Sequence, residues 1–273
     1  MEQMAQKAKE AAEYLKKGMK AEPKIGLILG SGLGDLAEEV EESVTADYSS
    51  IPHFPVSTVE GHAGRLVTGK LQNQNVIAMQ GRFHYYEGYS MKEVTFPIRV
   101  MKELGVEVLI VTNACGAMNS SFRPGDLMVI DDHLNMTGTN PLIGRNDESL
   151  GPRFPDMSQA YDAELKETAF RAGKELGIDL KNGIYTGITG PNFMSSAELI
   201  MLRKLGGDVV GMSTVPEVIV ARHTGLRVLG ISCITDMAVG EEMEGISHEE
   251  VMATAAKTKP RFISLVKEIL ADI

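Results

Sequence analysis

The residues best suited to chemistry in this 273-residue chain gather at residues 81–89, GRFHYYEGY. Arg82 can grip an oxyanion with two donors, His84 can hold or move a proton, and Tyr85 and Tyr86 can cover a flat ligand. Glu87 stands three residues after His84 and is placed to orient it. Packing alone seldom calls for such a mixture. A second candidate is GSGLG at residues 30–34, which follows an apolar run and leads into helical residues. Its backbone N–H groups can face an anion and Ser31 adds a hydroxyl; a plain tight turn is the competing reading. It is not the dinucleotide fingerprint, which requires glycine where Asp35 stands.

Further candidates lie along the chain. GMSTVPEVIVARH at residues 211–223 runs from a strand into a helix. Ser213 falls just before the helix, where a hydroxyl either caps it or touches an anion. His223 ends that helix and reads as a cationic cap. GPNF at residues 190–193 sits at a strand-to-helix junction and presents Phe193. Thr235 and Asp236 end the last apolar strand, where ligand groups cluster in open α/β sheets. His62 lies in the glycine-bracketed GHAG.

Other motifs fail on inspection. GRLVTGKL nearly spells a phosphate loop, but Leu71 replaces the magnesium-binding hydroxyl and the stretch reads as a strand. His248 and Glu249 begin a zinc-helix pattern that Met252 breaks, and the six histidines show no ligand spacing, so no metal is expected. Ser213 lacks the closing glycine of a nucleophile elbow.

The elements that position these residues follow from patterning. Strands are expected at KIGLIL, in two runs around QNQN at residues 72–75, at EVLIVT, at residues 127–130 and 183–188, and at RVLGISCI. Helices fall between them. Ser90, Ser195 and Ser247 are each followed three residues later by Glu93, Glu198 and Glu250, which fits a capping box. The last helix starts near His248. This is an α/β pattern over residues 1–273, one domain with a mixed, twisted central sheet flanked by helices. Residues 137–157 form a long aperiodic excursion of the kind that carries function.

Composition excludes other classes. The formal net charge of -10 argues against a nucleic-acid surface, while a few arginines still suffice for a small anion. The acidic runs at residues 38–42 and 241–244 read as solvated faces or loops. Cys115 and Cys233 form no CxxC pair, so no disulfide framework is expected. No run is long and apolar enough to span a membrane, and a cytoplasmic protein is the expectation.

GSGLG, EGHAGRL, GRFHYYEGY, VTNACGAMN, DDHLNMTGTNPLIGRND, RFPDMS, GPNF and GMSTVPEVIVARH occur here in one order. Together they resemble the trimeric class of purine nucleoside phosphorylases across nearly the whole chain. The resemblance implies an α/β fold with a partly barrel-like sheet. It implies cleavage of a purine nucleoside by phosphate to free base and ribose 1-phosphate, with phosphate as co-substrate and no cofactor. By position, Ser31, Arg82, His84, the backbone at Ala114 and Ser213 match the phosphate site, with His62 beside it. Tyr86, Met212 and His248 match the ribose contacts, with His248 near the 5′-hydroxyl. Phe154 matches an aromatic ring supplied across the interface of a homotrimer, and Phe193 the ring that stacks on the purine. His84 and Asp236 are the expected catalytic residues.

Two departures bear on the base. Relatives acting on 6-oxopurines carry Glu where Met194 stands and Asn where Asp236 stands. Glu accepts from N1–H and Asn donates to O6; adenine reverses both demands. Met194 and Asp236 therefore imply a preference shifted to 6-aminopurines such as adenosine. Alternatively, a protonated Asp236 donates to N7 as general acid. Phosphorolysis of 5′-methylthioadenosine is a second reading, since that related enzyme also has Asp after Thr here but an apolar residue in place of His248. The loss of Glu at position 194 also admits a catalytically weak purine-binding homologue, and a hydrolytic nucleosidase is a third reading. Cys115 and Ala117 replace the usual NAAGG residues; Cys115 reads as a packing change and Ala117 as a backbone change near the base.

Overall fold

The computed structural model describes residues 2–59, 62–238 and 247–273. The chain opens with α1 (Glu2–Lys16), then β1 (Ile25–Leu29), β2 (Glu41–Asp47), β3 (Arg65–Leu71) and β4 (Gln74–Gln80). Two adjoining helices follow, α2 (Met91–Val94) and α3 (Phe96–Glu103), then β5 (Val108–Ala117) and β6 (Leu127–Asn135). The remainder is α4 (Ala163–Glu175), β7 (Lys181–Gly187), α5 (Ser196–Lys204), β8 (Val209–Gly211), α6 (Val215–His223), β9 (Arg227–Met237) and α7 (His248–Ala271). Residues 137–157 carry neither helix nor strand, as their composition predicts.

The nine strands among the described residues join one mixed sheet in the order β2-β3-β4-β1-β5-β8-β7-β6-β9. β5 also pairs with β9 along its length, from Val108↔Arg227 to Ala117↔Met237, so five strands close on themselves. That closure is the barrel-like portion. β4, β1, β5 and β9 run parallel, which brings their carboxyl ends to one rim. A register shift between Cys115 and Gly116 bends that rim.

The period-2 alternation of the strands separates two cores. Ile28, Leu109 and Val111 pack to the side of α1, α3 and α6. Leu27, Leu29 and Ile110 pack to the side of α4 and α7. All three predicted capping boxes form: Ser90, Ser195 and Ser247 accept from the N–H of Glu93, Glu198 and Glu250, whose carboxylates return the contact. Each such cap contributes about 1 kcal/mol. The helix at α7 starts at His248 for this reason.

The glutamates of the acidic run at residues 38–42 are exposed, as expected of a solvated face; β2 begins within it at Glu41, an edge strand paired antiparallel to β3. No residue of β2 is buried, so no alternation betrays it. The second acidic run, at residues 241–244, lies outside the described residues. Among the described residues no helix is long and apolar enough to cross a membrane.

Candidate active site

The shared rim of β1, β4, β5 and β9 opens into a cavity of about 860 Å³. The chain leaving β1 supplies Gly30 and Ser31, and the chain leaving β4 supplies Arg82, His84 and Tyr86. The end of β5 supplies Asn113–Gly116 as neighbouring wall residues, and the end of β9 supplies Thr235 and Asp236. Glycine is required at position 30, because a Cβ there would stand 2.8 Å from Asn113 Cα.

One end of the cavity is rich in donors. Arg82 is buried, with only 2% of its surface exposed. Its Nη1 donates to Thr214 Oγ1 at 3.3 Å and to Glu217 Oε1 at 3.4 Å. Its Nη2 donates to the carbonyls of Ile28 and Thr112. Nε is buried without a partner. The expectation of two donors from Arg82 is thereby corrected: four protein acceptors occupy the Nη atoms, and one N–H remains.

His84 is oriented by Glu87, as the sequence implied. Glu87 Oε1 accepts from the His84 backbone N–H at 2.7 Å and lies 3.1 Å from its Nδ1. Burial pushes the Glu87 carboxyl up, but donors from His84 and Thr58 outweigh it and hold the pKa at about 2. The His84 ring stacks on Tyr86, with centroids 4.6 Å apart and planes 13° from parallel. His62 stands behind Ser31. Its Nδ1 lies 3.3 Å from both the backbone nitrogen and the carbonyl oxygen of Arg82, and its Nε2 lies 3.2 Å from Ser31 Oγ. Burial, then the neighbouring His84 and Arg82, lowers its pKa to about 4, so the ring is neutral near pH 7.

Ser213 is not the cap of α6. The N-cap is Thr214, held at φ 74° with no side-chain capping bond. Thr214 Oγ1 instead accepts from Asn113 Nδ2 at 2.9 Å and from Arg82. Ser213 Oγ lies 3.1 Å from Thr214 Oγ1, and its backbone N–H donates to the Tyr185 hydroxyl at 3.4 Å. Ser213 therefore faces the cavity on a turn braced from behind.

The other end is apolar. Met118, Ile188, Leu199, Leu202 and Ala238 form a small separate core, with Met194, Val210 and Met212 packed against it. Asp236 is the acid on this wall. Its Oδ1 accepts from Thr235 Oγ1 at 2.8 Å, and among the described residues Oδ2 has no hydrogen-bond partner. Glycine is required at position 116, since a Cβ there would meet Asp236 Oδ2 at 2.7 Å. Burial raises the Asp236 pKa above its ordinary value, and nearby Glu250 adds to the rise against the Thr235 bond.

Ser31, Arg82, His84, Tyr86, Ala114, Phe193, Met194, Met212, Ser213, Asp236 and His248 all border this cavity. His62 lies one residue behind it. Phe154 does not border it: the ring is 86% exposed, with the Arg153 guanidinium 5.6 Å from its centroid. His223 ends α6, as the sequence implied, but without the exposure that would favour a cation there. It is buried, burial lowers its pKa, and its Nε2 lies 3.3 Å from Asn146 Oδ1. Both cysteines are buried and free, and burial raises the Cys115 thiol well above its ordinary range. Ala117 is fully buried in β5, where it pairs with Val209 and Met237. Sequence reasoning missed Asn113, Tyr185, Thr214 and Glu217. The signal available for Glu217 was one acid inside the apolar run VPEVIVA.

The description "Phosphorylase superfamily" applies to the family model that matches residues 24–271. The chain is 58% identical over 269 residues to purine nucleoside phosphorylase 1 of Bacillus subtilis (strain 168), covering 98% of this chain and 99% of that protein. The crystal structure of isoform 2 of purine nucleoside phosphorylase from Schistosoma mansoni, in complex with cytosine and ribose-1-phosphate, superposes with a TM-score of 0.95. It is 45% identical and covers 98% of this chain and 96% of its own. A Schistosoma mansoni purine nucleoside phosphorylase in complex with adenosine gives 0.94 at 41% identity, covering 98% and 97%.

Proposed function

Because this chain belongs to the phosphorylase superfamily, among its purine nucleoside phosphorylases, we propose that its preferred substrates are 6-aminopurine nucleosides such as adenosine. The observation that carries this reading is the pairing of Met194 with Asp236 at the apolar end of the cavity. Asp236 presents a free Oδ2, which suits an exocyclic amino donor and repels a 6-oxo lone pair. Met194 offers nothing to an N1–H donor, which an oxopurine would leave unpaired in an apolar wall. Both residues disfavour the same substrates.

The remaining roles follow the polarity of the cavity. Inorganic phosphate sits at the donor end, beside the hydroxyls of Ser31 and Ser213, Arg82, His84 and the backbone of Ala114. His62 acts through Ser31, whose hydroxyl it holds from behind at 3.2 Å. Tyr86, Met212 and His248 border the ribose between the two ends, and Phe193 stacks on the purine. A phosphate oxygen attacks C1′ as the C1′–N9 bond breaks. The bond pair moves to the purine, and the ribose passes through an oxocarbenium-like state stabilised by the anion beneath it. The alternative role for Asp236, a protonated carboxyl donating to N7, would remove its bias against 6-oxopurines and is distinguished by the same substrate comparison.

The active assembly is a homotrimer in which Phe154 closes the ribose site of a neighbour, which accounts for a large ring left exposed on the single chain. His248 suits a 5′-hydroxyl better than a methylthio group, and this ranks 5′-methylthioadenosine second. Release of base from adenosine, inosine and guanosine in competition, with and without phosphate, tests the proposal. Adenosine should be consumed first and only with phosphate present. Release without phosphate would indicate a nucleosidase, and no release a binding protein.

A further inference from the structure

Glu217 lies in the first turn of α6, and its carboxylate is 3% exposed. Its Oε1 reaches Arg82 Nη1, and its Oε2 has no hydrogen-bond partner among the described residues. Val215, Pro216, Val218 and Ile219 around it are buried, so no solvent screens the charge. A buried carboxylate directly behind an anion site opposes the anion through a weakly polar interior. Holding Arg82 in place does not demand it, because Ile28, Thr112 and Thr214 already supply three neutral acceptors.

A phosphorolytic site explains the arrangement. Phosphate enters and a phosphate monoester leaves by the same donors in every turnover. Donors backed by a full, uncompensated positive charge would retain the product. We infer that Glu217 is a positioning residue that clamps Arg82 and offsets its charge, so that phosphate and ribose 1-phosphate bind loosely enough to exchange. This rests on the reading above that phosphate sits beside Arg82.

Glu217→Gln keeps an oxygen for Nη1 and removes the charge. KM for phosphate should fall about tenfold, and ribose 1-phosphate should inhibit about tenfold more tightly. KM for the nucleoside should stay within about twofold. Phosphate should also raise the Tm of this variant more than that of the unaltered protein, since the anion then compensates a buried Arg82. A purely structural role would lower Tm equally with and without phosphate and leave KM for phosphate unchanged or higher; that result overturns the inference. Glu217→Asp keeps the buried charge and so should not tighten phosphate binding. If Glu217→Gln does not fold in either buffer, this second variant decides, and tighter phosphate binding in it overturns the inference. Arg82→Gln separates the two levels. An unchanged KM for phosphate there sinks the phosphate-site reading itself. Weakened binding there, without tightening in Glu217→Gln, sinks only the role of Glu217.

Discussion

Glu87 Oε1 receives both the backbone N–H of His84, at 2.7 Å, and its Nδ1, at 3.1 Å. One carboxylate oxygen thus fixes where His84 starts and which way its ring turns. Nδ1–H points at Glu87, so Nε2 is the nitrogen turned toward the cavity. Glu87→Gln keeps the shape and removes the charge that holds Nδ1–H and the backbone N–H. KM for phosphate should rise about tenfold, the scale of one lost charge-assisted hydrogen bond, with little change in KM for nucleoside. Steady-state kinetics at varied phosphate checks this.

The same contact carries an acid-stability signature. The Glu87 pKa falls from its ordinary 4.5 to about 2 in the fold. A depressed carboxylate stabilises the fold above its unfolded pKa, and the contribution fades as pH drops from about 4.5 toward 2. His62 acts at higher pH. Its pKa falls from 6.5 to about 4, so the unfolded chain binds the extra proton between those values. Its neutral form therefore contributes stability that is complete above pH 6.5 and lost as pH falls toward 4. The contribution is of order 3 kcal/mol at most. Urea unfolding of His62→Asn against the parent, at pH 7.5 and pH 4.5, should show the gap between them shrinking in acid. A constant gap would show that His62 titrates normally.

Much of this fold is legible locally. The three Ser-x-x-Glu patterns each place a helix start, because a capping box is a contact between residues three apart. β1, β5 and β9 announce themselves through β-branched runs. β2 does not, because EESVTAD lies on an edge with no buried face to impose alternation. The closure of β5 on β9 is equally silent, since nothing local encodes a pairing more than a hundred residues apart. At the site, side-chain types revealed Arg82, His84 and Ser31. They could not reveal that Arg82 spends its Nη atoms on Ile28, Thr112, Thr214 and Glu217, which meet it only in three dimensions. Ser213 illustrates the reverse error: its position fits a cap, but the turn at Thr214 rotates it into the cavity.

Asp236 and Met194 should act together on the base. Asp236→Asn gives a donor toward O6, and Met194→Glu gives an acceptor for N1–H. The double variant should raise kcat/KM for inosine relative to adenosine by at least about 100-fold, more than either single change. The ratio for the two substrates in each variant checks this. An unchanged ratio in the double variant would show that these side chains do not read the base.

Phe154 should matter only in the assembled protein. Light scattering should give a mass of three chains. Phe154→Ala should keep that mass and raise KM for nucleoside about tenfold, as expected for removing one aromatic contact of about 1.4 kcal/mol. A monomeric parent that is fully active would contradict the shared site.

The central claim is that this cavity prefers a 6-amino over a 6-oxo purine, and kcat/KM for adenosine and inosine at saturating phosphate tests it most directly. Adenosine should exceed inosine by at least about tenfold, the discrimination of one mismatched polar contact. Inosine exceeding adenosine would contradict the reading of Asp236 and Met194.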